Sequence, residues 1–143
     1  MFPSAKYFLA FVCLSLALPV VAVDGDKPDR HPFIGKWHWT RSENNCTEVY
    51  EFRSDGAGFV QSGDERSDVT FNIADEPDGQ GFYTLKLKTV VDYGGKDCAD
   101  SESNDTGNET KTYVIFDPTK QKHLSCGQPN LSACFGPLNR IGQ

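Results

Sequence analysis

The chain has 143 residues, with 14 Lys or Arg against 20 Asp or Glu, so its formal net charge at pH 7 is −6. This length suits a single small domain with one core. The acidic balance, with no cluster of basic residues, excludes the electrostatic surface that nucleic acids and anionic membranes attract, so no nucleic-acid partner is predicted.

The N-terminal segment has the features of a secretory signal peptide. Lys6 is its only charged residue, an apolar run covers residues 7–21, and the small side chains of Val20 and Ala22 predict cleavage after Ala22. The apolar run is short for a transmembrane helix, which needs about 20 residues, so no membrane span is predicted after cleavage. The predicted divisions are a cleaved signal peptide (1–22), a flexible lead-in (23–32) and one β-barrel domain (33–143). The location predicted for the mature chain is the periplasm or the extracellular space.

Four cysteines remain after cleavage: Cys46, Cys98, Cys126 and Cys134. An even number of cysteines in an exported chain indicates two disulfide bonds, for which three pairings exist. We favour Cys126 with Cys134, because this bond closes a short loop between two predicted strands, and hence Cys46 with Cys98. A four-cysteine zinc site is disfavoured, because no Cys-x-x-Cys spacing is present.

Short stretches of alternating apolar and polar residues predict strands along the rest of the chain. They cover residues 35–41, 46–53, 59–62, 67–74, 83–93, 111–116, 121–126 and 133–141. In the first, period-two alternation places Trp37 and Trp39 on one face and His38 on the other. Residues 54–58 contain an Asp-Gly pair, which tolerates the backbone of a tight hairpin.

The fifth predicted strand is the longest, with one apolar and one polar face, as is typical of antiparallel sheets. The longest loop, residues 94–110, follows it. Pro137 lies inside the last strand and cannot donate to a ladder, so that strand is predicted to be bulged, at an edge, or shorter. Eight strands with a turn signal about every ten residues, and no long helical period, predict an all-β barrel or sandwich.

Gly35-Lys36-Trp37, at the start of the first strand, resembles the Gly-x-Trp signature of the calycin superfamily, which comprises lipocalins, fatty-acid-binding proteins and avidins. In that superfamily the Trp closes one end of an up-and-down barrel, and an Arg from the last strand packs over it. Arg140 is placed to match that Arg. The resemblance, which extends to small bacterial lipocalin-like domains, therefore implies a small eight-stranded antiparallel up-and-down barrel with a structural clasp of Gly35, Trp37 and Arg140. A guanidinium over an indole contributes about 0.5–2 kcal/mol.

The resemblance further implies that inward-facing side chains line a cavity for a small apolar molecule. The candidate lining residues are Trp39, Tyr50, Phe52, Phe71, Tyr83, Leu85 and Leu87. A barrel of this size is also able to fill itself with its own side chains, and both interpretations stay open. The filled barrel corresponds to an alternative function, a protein-binding module such as a periplasmic inhibitor of an envelope-directed enzyme, with the loops at one barrel end as the contact.

The loop of residues 97–109 is rich in carboxylates, which offer oxygen ligands of the kind that calcium prefers. We predict a solvated acidic loop instead, because Asp105 occupies the position where an EF-hand needs Gly and flanking helices are missing. His31, His38 and His123 are far apart in the sequence and are predicted to be isolated surface residues. No metal and no cofactor are therefore predicted.

No catalytic residues are predicted either, and the chain is expected not to be an enzyme. It contains no Gly-x-Ser-x-Gly elbow, and its cysteines are predicted to be paired. Acceptor sequences for N-glycosylation occur at Asn45, Asn104, Asn108 and Asn130, which matter only in a eukaryotic host. The mature protein is expected to be a monomer.

Overall fold

A computed structural model describes residues 30–142, so the predicted signal peptide and residues 23–29 of the lead-in lie outside the described residues. The strands are β1 (Gly35–Thr40), β2 (Thr47–Phe52), β3 (Ala57–Ser62), β4 (Glu65–Ile73), β5 (Tyr83–Asp92), β6 (Glu109–Phe116), β7 (Lys122–Cys126) and β8 (Cys134–Ile141). A single 3-10 turn, Leu131–Ala133, precedes β8. In the described part of the chain, no helix has the length and apolar character that crossing a membrane requires.

Each strand pairs antiparallel with the next one, and β8 returns to pair with β1. In that closing pair, Trp37 stands opposite Arg140 and His38 opposite Asn139. The sheet is therefore a closed up-and-down barrel, which leaves no unpaired edge strand. The predicted all-β, eight-stranded antiparallel barrel is confirmed.

The two ends of the barrel differ. At the end where β1 begins and β8 finishes, which we call the clasp end, the Trp37 and Arg140 side chains meet. The opposite end, which we call the disulfide end, carries Cys46–Cys98 and Cys126–Cys134, with Cα–Cα distances of 5.5 Å and 3.9 Å. The favoured disulfide pairing is thereby confirmed. Cys46–Cys98 fixes the longest loop to the turn between β1 and β2.

β8 contains an irregularity at Pro137. The pairing of β7 with β8 shifts between His123 and Ser125, so Gly136 and Pro137 together stand opposite Leu124. The proline therefore lies in a bulge, which removes the need for its missing N–H. Of the three possibilities that the sequence left open for this strand, the bulge is the one observed.

The core lies inside the barrel. Its fully or nearly fully buried members come from six strands and from the residues before β1: Phe33, Trp37, Phe52, Val69, Leu85, Val114 and Leu138. Because successive side chains of a strand point to opposite faces, one residue in two contributes to this core. The outward positions are mostly polar.

Candidate functional site

Arg140 and Trp37 close one end of the barrel. The guanidinium carbon lies 4.1 Å from the centre of the Trp37 ring, which is fully buried. Arg140 also donates from Nη1 to the Ile34 carbonyl at 2.9 Å and from Nη2 to the Pro32 carbonyl. Gly35 has a φ of +140°, and a Cβ there would lie 2.5 Å from Arg140 Nη1. Only glycine therefore fits beneath the guanidinium.

Phe33, just before β1, packs across the interior at this end. Its ring stacks on Phe52 at 4.1 Å and meets the edge of Phe71 at 5.6 Å. Its carbonyl accepts a hydrogen bond from Trp37 Nε1 at 2.9 Å, which satisfies the buried indole N–H. The clasp end is thus sealed by an aromatic plug that the sequence had not indicated.

His31, at the end of the predicted flexible lead-in, is held by both ring nitrogens. Nε2 donates to the Ala74 carbonyl at 3.2 Å, and Nδ1 accepts from the backbone N–H of Phe33 at 3.1 Å. The ring also lies edge-on to Tyr83 at 5.1 Å. Residues 31 and 32 are therefore fixed against the barrel and help to position Phe33.

An interior cavity of about 190 Å³ lies between the plug and the disulfide end. Its wall is mainly apolar, with three hydroxyl residues, a phenol and one imidazole. The lining residues are Phe33, Tyr50, Phe52, Leu85, Leu87, Thr110, Thr112, Val114, His123, Ser125, Phe135 and Leu138. The barrel is therefore not filled by its own side chains.

The structure brings four of the seven predicted lining residues into this wall: Tyr50, Phe52, Leu85 and Leu87. The other three face inward but pack elsewhere. The ring centres of Trp39 and Phe135 are 4.8 Å apart. The Phe71 ring packs edge-on against Phe33, and the Tyr83 ring packs between His31 and Phe116.

Other lining residues come from β6, β7 and β8, where sequence reasoning named no candidate. Thr110 and Thr112 of β6 were overlooked because threonine, judged from the sequence alone, is normally assigned to the polar outer face of a strand. The prediction that His123 lies at the surface was wrong, since only 3% of the residue is exposed. One signal that could have placed it is the alternation of β7, in which Lys122 points to solvent and His123 therefore points inward.

His123 is surrounded by aromatic rings. Its ring centre lies 4.5 Å from that of Trp37, at nearly a right angle, and 5.5 Å and 5.7 Å from those of Phe116 and Phe33. Among the described residues, no group meets hydrogen-bond geometry with either ring nitrogen. Burial lowers the pKa of His123 to about 4. The Leu124 backbone opposes this lowering, although it forms no hydrogen bond of normal geometry with the ring, and the positive charge of Arg140 lowers the pKa further. The imidazole is therefore neutral at pH 7.

A polar cluster involving Tyr50 lies towards the disulfide end. The Tyr50 hydroxyl donates to Glu48, which also accepts from Ser62 Oγ at 3.0 Å. Ser62 Oγ in turn accepts from the backbone N–H of Cys98 at 3.0 Å, so the cluster contacts the longest loop. Burial, and secondly the Glu48 carboxylate, raise the pKa of Tyr50 well above its usual value. The phenol proton is therefore already engaged.

A second group of polar residues lies outside the cavity. The carboxylate oxygens of Glu65, Asp92 and Asp105 lie within 4.8 Å of one another. Asp92 accepts backbone N–H bonds from Asp105 at 2.8 Å and from Gly94 at 2.7 Å, which lower its pKa. Burial, followed by the charge of Asp92, raises the pKa of Glu65 to about 7. Glu65 therefore holds the proton of this group. The sequence did not predict the group, because it brings a residue of β4 together with a residue of a distant loop.

This proton predicts a pH effect on stability. Because the Glu65 pKa of about 7 exceeds its ordinary value of 4.5, the fold binds the proton more tightly than the unfolded chain. The contribution of Glu65 to stability is thus full below pH 4.5 and is lost as the pH rises through 7. We expect Glu65→Gln to raise the free energy of unfolding by about 1 kcal/mol at pH 8, a value discounted for solvent access.

Urea unfolding of both proteins at pH 4 and pH 8 measures this difference. At pH 4 the two are expected to agree. Glu102→Gln, an exposed carboxylate of the same loop, is the matched control and should change stability by less than about 0.5 kcal/mol at either pH. An equal gain from Glu65→Gln at both pH values would contradict the assignment.

No known protein family matches this chain in sequence, and no curated protein or solved structure is significantly similar to it. The fold and the cavity therefore carry the functional argument by themselves. What the geometry offers is a mainly apolar space inside a closed barrel, sealed at the clasp end and partly open to solvent at Thr110 and Phe135. A binding site of this kind suits a small molecule better than a macromolecule.

Proposed function

We propose that this chain is an exported, non-enzymatic barrel of lipocalin-like type that binds a small hydrophobic molecule in its interior. The observation that carries the proposal is the cavity of about 190 Å³, enclosed on one side by the Phe33 plug and lined mostly by apolar side chains. Burial of apolar ligand surface contributes about 25 cal/mol per Å², from which the costs of association are subtracted.

The cavity volume limits the size of the ligand. An apolar cavity of roughly 150 Å³ in a protein core is able to bind benzene, whereas drug-sized ligands occupy pockets of about 300–1,000 Å³. At about 190 Å³, the interior fits one aromatic ring with a small substituent or a short branched chain. A long-chain fatty acid does not fit within this volume.

Two features support the lipocalin-like assignment and export. The contact of Trp37 with Arg140 across the closing strand pair has the form that the Gly-x-Trp resemblance implies. The two disulfides are typical of oxidising compartments, such as a periplasm or the extracellular space. The signal peptide on which export also depends lies outside the described residues.

The protein-binding alternative has less support. It was tied to a solid barrel interior, and the interior contains a cavity. The loop that would form the contact is held to the barrel: the Cys98 carbonyl accepts from Arg41 Nη1 at 3.1 Å and from Asn44 Nδ2 at 2.9 Å. The ligand-binding function is therefore the one that the geometry favours.

Toluene is a suitable first probe because its volume matches the cavity. We expect saturable binding to the mature chain, followed by calorimetry or by ligand-observed NMR. Leu87→Trp, which enlarges a side chain of the cavity wall, should weaken binding more than tenfold.

Val90→Trp provides the matched control, because Val90 belongs to the same strand and is 46% exposed. It should leave the affinity unchanged. Toluene that fails to saturate, or that binds equally well to the Leu87→Trp protein, would refute an interior site.

A further inference from the structure

We infer that the ligand carries a neutral hydrogen-bonding group, with a phenol-type hydroxyl as the best fit, and that this group binds the ring of His123 at the plugged end of the cavity. The inference rests on the proposed function and adds a chemical class to it. Its basis is the contrast between His123 and the other polar groups inside the barrel.

His123 is the buried polar group for which the fold supplies no partner. It is 97% buried, forms part of the cavity wall, and has neither ring nitrogen hydrogen-bonded within residues 30–142. A buried donor or acceptor without a partner costs about 1–3 kcal/mol. An aliphatic side chain of similar volume would avoid this cost, so the imidazole is better explained by a bound group than by packing.

Two other interior donors are already engaged. The indole N–H of Trp37 donates to the Phe33 carbonyl, and the hydroxyl of Tyr50 donates to Glu48. His31, by comparison, uses both ring nitrogens in hydrogen bonds to the backbone. Ser125 follows His123 by two residues on β7, so it faces the same cavity by strand alternation and offers a second polar contact beside the imidazole.

The charges around the cavity favour a neutral ligand. The imidazole is neutral at pH 7, and the Arg140 guanidinium already donates its N–H groups to the carbonyls of Ile34, Pro32 and Lys120. A carboxylate on the ligand would thus be buried without a free counter-charge, which is strongly unfavourable. A hydroxyl suits a neutral imidazole, because it can either donate to the bare nitrogen or accept from the N–H.

Three single-ring probes of similar size test this inference on the mature chain: toluene, phenol and benzoate. We expect phenol to bind about tenfold more tightly than toluene, and benzoate to bind most weakly. Phenol, but not toluene, should also shift the side-chain ¹⁵N resonances of His123. This shift is observed in the unsubstituted protein and so does not depend on the folding of any variant.

His123→Leu should retain toluene binding and lose the preference for phenol. His38→Leu removes an imidazole from the outer face of β1 and is the matched control, which should keep that preference. Equal affinities for phenol and toluene in the unsubstituted protein, as expected if water alone satisfies the imidazole, would overturn the inference and leave the proposed function standing. So would bound phenol without a ¹⁵N shift, or a preference that survives in His123→Leu. Failure of all three probes to bind would overturn the proposed function itself.

Discussion

Arg140→Ala is expected to lower the free energy of unfolding by about 2–4 kcal/mol, a large effect for a side chain that solvent can reach. Two contributions add. The guanidinium lies 4.1 Å from the centre of the Trp37 ring, and its N–H groups bind the carbonyls of Pro32, Ile34 and Lys120. Removing it exposes the indole and leaves these carbonyls without their charged donor.

The position of Arg140 explains why the effect should exceed that of an ordinary ion pair. It joins the residues before β1, the β6–β7 turn at Lys120 and the last strand, so its loss loosens the closure of the barrel as well as one contact. Arg140→Lys keeps the charge but not the planar fork and should recover less than half of the loss.

Urea unfolding at pH 7 measures these differences. Lys36→Ala is a matched control on the neighbouring strand, because Lys36 forms only an exposed ion pair with Glu51 at 3.1 Å. A change within about 0.5 kcal/mol is expected there. An Arg140→Ala protein as stable as the parent would show that the clasp does not hold the barrel closed.

The second large effect concerns acid stability. The pKa of His123 is about 4 in the fold, below its ordinary value of 6.5, because burial opposes the charged form. Between pH 6.5 and pH 4 the unfolded chain therefore binds the proton that the fold excludes, and stability falls as the pH falls. For a residue so fully buried, the expected loss across this window is about 3 kcal/mol.

His123→Leu should remove this loss, so that the variant is relatively more stable than the parent at pH 4.5 than at pH 7.5. His31→Leu is the informative comparison. Burial also lowers the pKa of His31, but the Ala74 carbonyl and Asp75 oppose the shift, so a smaller part of the pH dependence should disappear. Unfolding curves at several pH values distinguish the two variants. Identical pH profiles for the parent and His123→Leu would mean that the imidazole is not buried as described.

The two expectations for His123 are linked. A neutral, unpaired imidazole weakens the fold towards acid and at the same time offers the only fully buried free hydrogen-bonding group in the described cavity wall. If a hydroxyl-bearing ligand binds it, the ligand should stabilise the parent protein by mass action and should stabilise His123→Leu much less. The unpaired imidazole of His123 then destabilises the empty barrel, and the same group recognises the ligand when the ligand binds.

Local patterns in the sequence determined the architecture of this protein. Alternation with a period of two marked all eight strands to within a few residues, and the cysteine positions favoured the pairing that is observed. Gly35-Lys36-Trp37 and Arg140 indicated where the barrel closes, because a clasp between the first and last strands depends on a few residue types at defined positions. These features depend on neighbours along the chain or on a few residue types in the first and last strands. Both can be read directly from a sequence.

Only the tertiary structure decided what the barrel encloses. Whether the interior is filled or hollow depends on how eight strands stagger and on Phe33, which enters from outside the sheet, packs against Phe71 and itself forms part of the cavity wall. The bulge opposite Leu124 lets both Phe135 and Leu138 of β8 face the cavity, although they are three residues apart, and the proton-sharing group joins Glu65 to Asp105 across the longest loop. Alternation specifies the face on which a side chain lies, but not its neighbours on that face. Those neighbours are set by strand register and packing, and they leave His123 without a partner.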